Sequence, residues 1–416
     1  MSTSPESTVT VLATDTINQS RRQSWLTLLI LSGLMAFASI STDLYLPAMP
    51  TMRIALGAAQ GTMEWTISGY LIGFSLGQLV WGPVGDRYGR RLPVAAGLVL
   101  FIIGSAGCAI SSDVGTMIGW RALQAAGACA SVVLARAMVR DLYAGTQAAK
   151  MMSTLMTVMA IAPLVGPSVG SLILHVSSWR SIFWTLVAVG FIALLALTHL
   201  PETLPVERRN RTAVQKAFST YSQLLSHRRL LGYIGCGGFF YGGLYAYVSG
   251  TPFAYIAYYH VSPQAYGLLF AFGTIGIMVT NQLNSRLVSH LGSDRLMCYG
   301  SHAAAAAGLL LAVTAYFNIG GLAGLVVPLF LYVSVTGFIV ANAIAGALNL
   351  SPAHTGALSA LIGATQYGTG IAGSALVGAL TNGTPVPMAC IIGVFSIGCA
   401  GSTYLTSPLA RATIHS

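Results

Sequence analysis

The chain has 416 residues, of which 55% are hydrophobic and only 7% charged, against about a quarter charged in soluble domains. So little charge cannot cover a water-exposed surface, and so much apolar content excludes a disordered chain. The formal charge of +10 does not point to nucleic acid, because the basic residues sit in short loops between apolar runs and not along one polar face.

Residues 1–24 are polar and rich in Ser and Thr. They lack the basic start and small-residue cleavage site of a secretory leader and are expected to form a disordered tail. Apolar runs bounded by Gly, Pro or charge then predict spans at 25–47, 62–82, 92–111, 116–137, 150–174 and 179–200. After the polar stretch 201–229 come 230–253, 264–288, 295–317, 323–346, 355–380 and 387–408, followed by a short tail, 409–416. A spanning helix takes about 20 apolar residues, and twelve with short loops use about 35 each, which fits the length. The expected architecture is all-α and membrane-embedded, with six spans, a connector and six more. Laying Gly292 on Gly89 superposes the halves: Ser289 then meets Asp86, His290 meets Arg87, the glycine-rich 363–378 meets the fifth span and Ser249 falls near Asp43.

Every Lys and Arg except Arg53, Arg180 and Arg121 falls on the side of the termini and the connector. Cytoplasmic loops carry the excess of positive charge, so both termini and residues 201–229 are expected in the cytoplasm. The six cysteines all lie in apolar runs and form no CxxC pair, so they read as packing residues and no metal site is expected.

A charge inside a bilayer costs roughly 2.5–3.5 kcal/mol on insertion scales, which makes the few embedded ones informative. Asp43 lies near the outer end of the first span, in SISTDLYLPAMP, and Arg121 lies in the fourth, in IGWRALQAAGACAS, with Gln124 one turn on. Asp43 is either an interfacial helix-end residue or one half of a pair with Arg121; an aspartate that trades an arginine for a proton is a usable coupling device. Glu64, at the start of the second span, is expected to be solvated. His302, within the ninth span, is expected to be a packing residue.

The segment GPVGDRYGRR, 82–91, places Gly82 and Gly89 around Asp86, Arg87, Arg90 and Arg91. It reads as a tight turn whose charges can pair with Asp141 and latch helices in one conformation. APLVGPSVGS, 162–171, sets Pro163, Gly166, Pro167 and Gly170 inside the fifth span, where broken hydrogen bonds and close contacts mark moving or substrate-lining helices. In the seventh span Tyr241 and Tyr245 share a helix face. With Tyr70, Phe74, Asn281, Gln282, Asn342, Gln366 and Tyr367 they are candidates for a cavity wall, and an aromatic wall with few charges suits neutral or weakly polar ligands.

Together these motifs resemble the major facilitator superfamily. GPVGDRYGRR is similar to its loop after the second span, with Val84 where leucine is usual, and RALQAAGA (121–128) to its fourth-span motif. APLVGPSVGS resembles the fifth-span motif of drug/proton antiporters, with Ala162 and Ser171 departing from its glycines. TDLYLPAMP, the Arg140–Asp141 pair, SSWRSIFW and PETLPVERR resemble the Bcr/CflA drug-efflux family. The resemblance implies two pseudo-symmetric six-helix bundles, 25–200 and 230–408, around a central cavity working by alternating access. It further implies a monomer of the bacterial inner membrane that exports small drugs against protons, with Asp43 and Arg121 linked to coupling and no cofactor beyond the proton gradient. A proton-coupled importer or facilitator for a nutrient is the competing expectation, because one fold serves both directions. An enzyme would need a metal cluster or paired carboxylates within the spans, and the sequence offers none.

Overall fold

A computed structural model of the chain describes residues 25–210, 220–351 and 354–406. The expected tails 1–24 and 409–416 and the middle of the connector lie outside the described residues. Twelve long helical segments follow one another: α1 (25–43), α2 (Glu64–Tyr88), α3 (Arg91–Ile110), α4 (Val114–Leu142), α5 (Gly145–Val176) and α6 (Trp179–Leu197). After the connector come α7 (Arg228–Thr251), α8 (Pro263–Leu291), α9 (Ser293–Tyr316), α10 in two pieces (Gly321–Ser334 and Thr336–Leu350), α11 (Thr355–Ala379) and α12 (Val386–Thr403). No strand occurs among the described residues.

Nine stretches among the described residues are long and apolar enough to cross a membrane. The three long helices that are not, α2, α7 and α11, are interrupted by Gly, Ser, Thr and Gln. They need less greasy surface because neighbours cover them: α2 packs on α4 and α11, and α7 packs on α10, α11 and α12. The halves meet through two seams, α2 against α11 and α5 against α8. The repeat that lays Gly292 on Gly89 exchanges α2 with α8 and α5 with α11, so it carries one seam onto the other. The two glycines share a left-handed turn, with φ 93° and 79°.

Three expectations are corrected. The first span does not run to 47. Its helix ends at Asp43, and the chain restarts as a short turn at Leu46–Ala48 and a helix at Met49–Ala55, each opening on a proline. Pro47 has no N–H for the Asp43 carbonyl four residues back and its ring crowds that carbonyl, which explains the end of the helix there. The second span does not end at 82 but runs on to Tyr88 through Pro83. Proline leaves the carbonyl four residues back without a donor, and here that carbonyl, of Leu79, accepts the Tyr221 hydroxyl at 3.2 Å. Glu64 is not solvated: it is buried at the seam, where the Ser374 hydroxyl of α11 donates to its carbonyl oxygen at 2.9 Å.

The fifth-span glycines explain how α5 reaches the break at the end of α1. A Cβ on Gly166 would stand 2.9 Å from the Asp43 Cβ, and one on Gly170 would overlap the Leu44 carbonyl oxygen. Gly82, by contrast, has open space around it, so no close approach requires glycine there. Gly170→Ala should therefore lower thermal stability in detergent by about 1–3 kcal/mol, the usual cost of overpacking. Gly82→Ala should stay within about 0.5 kcal/mol of the wild type. Equal melting of the two variants would refute this packing account.

Candidate functional site

Between the halves lies a cavity of ≈ 180 Å³. The last turn of α1 supplies Thr42 and Asp43, α2 supplies Tyr70, α5 supplies Met159 and Pro163, and the second half supplies Tyr241, Tyr245, Tyr247, Phe270, Thr274 and Tyr367. Asp43 is the one carboxylate in this lining, and no Lys, Arg or His accompanies it. The rings of Tyr241, Tyr245 and Tyr367 form a triangle with centroids 5.9–6.1 Å apart. Phe74 stands behind them, 4.4 Å from Tyr367, and buttresses the wall without lining it.

Asp43 and Arg121 do not form an ion pair here, contrary to the expected pairing. Among the described residues no hydrogen bond or ion pair engages the Asp43 carboxyl, which faces the cavity. Arg121 has no exposed surface at all. Its Nη1 donates to the Ser41 carbonyl at 2.9 Å and to Gln124 Oε1 at 2.5 Å. The guanidinium lies over the rings of Tyr45 and Tyr70, at 4.3 and 4.4 Å. Those rings are fixed in turn by Tyr70–Ser41 and Tyr45–Thr66 hydroxyl bonds of 2.6 and 3.1 Å, and Gln124 is held by donating to Ser105 at 2.7 Å. Nε and Nη2 of Arg121 have no partner. The charge is thus met by ring faces, the Ser41 carbonyl and the Gln124 amide oxygen, and two donor nitrogens remain free for a carboxylate in another arrangement.

The predicted amides fall elsewhere. Asn342 donates to Asn284 Oδ1 at 2.7 Å, tying α10 to α8, and Gln366 is buried beside Gly237. Asn281 and Gln282 are exposed near the end of α8. None of the four lines this cavity, and Gln366 is buried away from it with its Nε2 unpartnered. The sequence reading missed Tyr45, Ser41, Tyr247 and Phe270. Tyr45 stood in the quoted TDLYLPAMP, but its role depends on helix crossings that no spacing reveals. His302 is exposed, and its Nδ1 bonds the Cys298 carbonyl one turn back.

On the basic side the structure brings Asp86, Arg90 and Asp141 together. Arg90 donates to Asp86 Oδ1 at 2.7 Å and to Asp141 Oδ2 at 2.8 Å. Gly89 turns the chain between α2 and α3, and a Cβ there would meet Glu202 at 2.7 Å. Arg91 bonds the Thr198 carbonyl, while Arg87 lies over the neighbouring Tyr88 ring. Glu202 stands at the start of the connector. It accepts from the backbone amides of Arg90 and Arg91 at 2.8 and 3.1 Å, capping the positive end of α3. Partial burial pushes its carboxyl up, but the amides of Arg90, Leu204 and Arg91 outweigh this and hold it below the usual carboxylate range. Thr203 adds a bond to Asp141, and the Asn210 amide one to the Asp86 carbonyl. Among the described residues no group of the second half takes part, so this network fastens α2, α3 and α4 to the connector and does not lock the halves to each other.

Comparison with known proteins places these features in context. The family model described as Major Facilitator Superfamily matches residues 29–375. A Haemophilus influenzae protein named bicyclomycin resistance protein homolog is 30% identical, over 83% of this chain and 86% of its own. A Pseudomonas aeruginosa protein named chloramphenicol resistance protein is 33% identical, over 78% and 75%. Among solved structures, the xylose transporter XylE from E. coli, in a partially occluded inward open conformation, superposes with a TM-score of 0.72 at 16% identity. That match covers 92% of this chain and 98% of that one, and it bears on the fold alone.

Glu202→Ala should destabilise the detergent-solubilised protein by about 1 kcal/mol, discounted because the side chain is 31% exposed. Glu202→Gln, which keeps an acceptor, should lose less. The wild-type contribution is complete at neutral pH and disappears only below the ordinary carboxylate range, as the depressed carboxyl takes up its proton. Thermal unfolding of the three proteins against pH checks all of this. A Glu202→Ala melting point equal to wild type at pH 7 would rule out the capping role.

Proposed function

The chain belongs to the major facilitator superfamily, and from that premise we propose that it is a proton-coupled multidrug efflux antiporter, exporting small, neutral or weakly polar antimicrobials by alternating access. It is a multi-pass membrane transporter and not an enzyme. The observation that carries the antiport reading is Asp43: a lone carboxyl lining a tyrosine-walled cavity between the halves, one element away from an arginine with two unused donors. The resistance-protein names of its relatives support drug export over nutrient import.

In the proposed cycle Asp43 carries a proton while it stands apart from Arg121 and releases it when helix movement brings the pair together. A buried carboxylate needs either a proton or a cation, and exchanging one for the other couples the proton to the movement. Ligand and proton then use the same cavity at different times. The symmetry-related seams, α2–α11 and α5–α8, are the surfaces along which the halves would rock. Neutral ligands suit the wall because ring faces and hydroxyls provide dispersion and hydrogen bonding without demanding a fixed charge. The positive-inside imbalance supports a bacterial inner-membrane protein with its basic side and both termini in the cytoplasm. It works as a monomer, with the proton gradient as its only energy source and no bound cofactor.

Asp43→Asn fixes the neutral form. It should abolish proton-driven export of bicyclomycin and chloramphenicol from a pump-deficient host while leaving binding to the purified protein within about threefold. Proton release on drug binding in detergent separates the steps: wild type should release protons and Asp43→Asn should not. Equal release from both would move coupling away from Asp43. Accumulation of drug by cells carrying the wild type, relative to empty host, would instead support an importer.

A further inference from the structure

On the side away from the Arg90 network the halves meet where α2 begins and α11 ends. A Cβ on Gly61 would overlap the Gly378 carbonyl oxygen, so backbones touch there. Glu64 sits in this seam with 3% of its surface exposed, and its Oε2 has no hydrogen-bond partner. The side chain borders a second cavity of ≈ 370 Å³, separate from the one that holds Asp43 and lined from both halves. The segment after α7 contributes its wall through a π-helical stretch, Pro252–Tyr258, and through His260, whose φ of 56° is unusual for a non-glycine residue.

The charged or titratable groups facing Glu64 across this cavity are Arg53, from the short helix after α1, and Tyr258 and His260, from the segment after α7. The lining residues of α11 and of the segment into α12 carry none. Among the described residues neither Arg53 nor His260 forms an ion pair with Glu64. A carboxylate shut into a protein seam without a cation costs several kcal/mol. The seam can avoid that cost by closing only on the neutral acid.

We propose that Glu64 is a second proton-binding site, at the gate between the halves: the seam closes over the protonated carboxyl, and loss of that proton favours opening. When the halves part, the carboxylate meets water and the nearby Arg53. Protons on that side thus favour the closed gate irrespective of what the central cavity holds. The proposal concerns the gate equilibrium and stands whether or not Asp43 couples drug to proton.

The test is a distance measurement across the seam. Nitroxide labels at Ala59 and Asn382, both exposed, are introduced with Cys298 and Cys390 replaced, and pulsed electron resonance is recorded from about pH 5.5 to about pH 8.5. One linked proton allows up to about a tenfold change in the open-to-closed ratio per pH unit. Wild type should shift towards open as pH rises, and Glu64→Gln should stay closed throughout. Arg53→Gln, which removes the cation that meets the ionised acid, should move the wild-type midpoint to higher pH, and an unmoved midpoint counts against the proposal. A wild-type distribution that ignores pH, or a Glu64→Gln variant that keeps the shift, overturns it. So does loss of the shift in His260→Asn or in Asp43→Asn with Glu64 intact. In the last case the central carboxyl governs the gate and the antiport reading survives alone. Matching distances for all variants at the lowest pH confirm that each has folded.

Discussion

A guanidinium cannot shed its proton at any ordinary pH, so a buried arginine must have its charge met by geometry. Arg121 imposes that demand on the centre of the first half. Three elements answer it: the end of α1 with the Ser41 carbonyl and Tyr45, α2 with Tyr70, and α4 itself with Gln124. Each ring is fixed by its own hydroxyl bond, so the cage is assembled from neighbours that hold one another. Because ring faces do much of the work, the charge is tolerated without consuming a carboxylate. That leaves Asp43 at liberty to face the cavity, although it lies only two residues from the carbonyl that Arg121 uses.

The two ends of the molecule are built on opposite logic. On the basic side the Arg90 network is paired, hydrogen-bonded and confined to one half and its connector, which braces that half. On the other side the halves press backbone to backbone through glycine, and one carboxyl oxygen of the acid at the contact is left without a partner. A satisfied network resists change, whereas an unsatisfied group makes a contact responsive to conditions. The stiff end and the responsive end are separated by the tyrosine-walled cavity, where a bound molecule would be exposed to movements of both seams.

Sequence periodicity was sufficient for the order of the twelve helices and for the isolation of Asp43 and Arg121, because embedded charges stand out against apolar runs. Tyr241, Tyr245 and Tyr367 were legible as wall residues from spacing and type. The partners of Arg121 were not, since Tyr45 and Tyr70 meet it only through the crossing of three helices. The amides illustrate the same limit: Asn342 is polar at membrane depth, but its bond to Asn284 is visible only once α8 and α10 are packed. Glu64 was misread because a residue at a span's edge is solvated by default, and its burial comes from α11, more than 300 residues later, packing on the start of α2. Pro83 similarly pointed to a helix end until Tyr221 supplied the missing donor.

The modest hydropathy of α2, α7 and α11 has a consequence for how the chain is made. Segments of that polarity partition poorly into lipid on their own, so each must be retained near the insertion machinery until a companion arrives. For α2 the companions are α4, made soon after, and α11, made almost last. The face of α2 that carries Ser75 and Gln78 awaits Ala364 and Gly363, and until then it has no protein to cover it. The halves can therefore be joined along this seam only when synthesis is nearly finished, and a ribosome stalled before α11 would leave a first half with one polar stripe turned towards lipid.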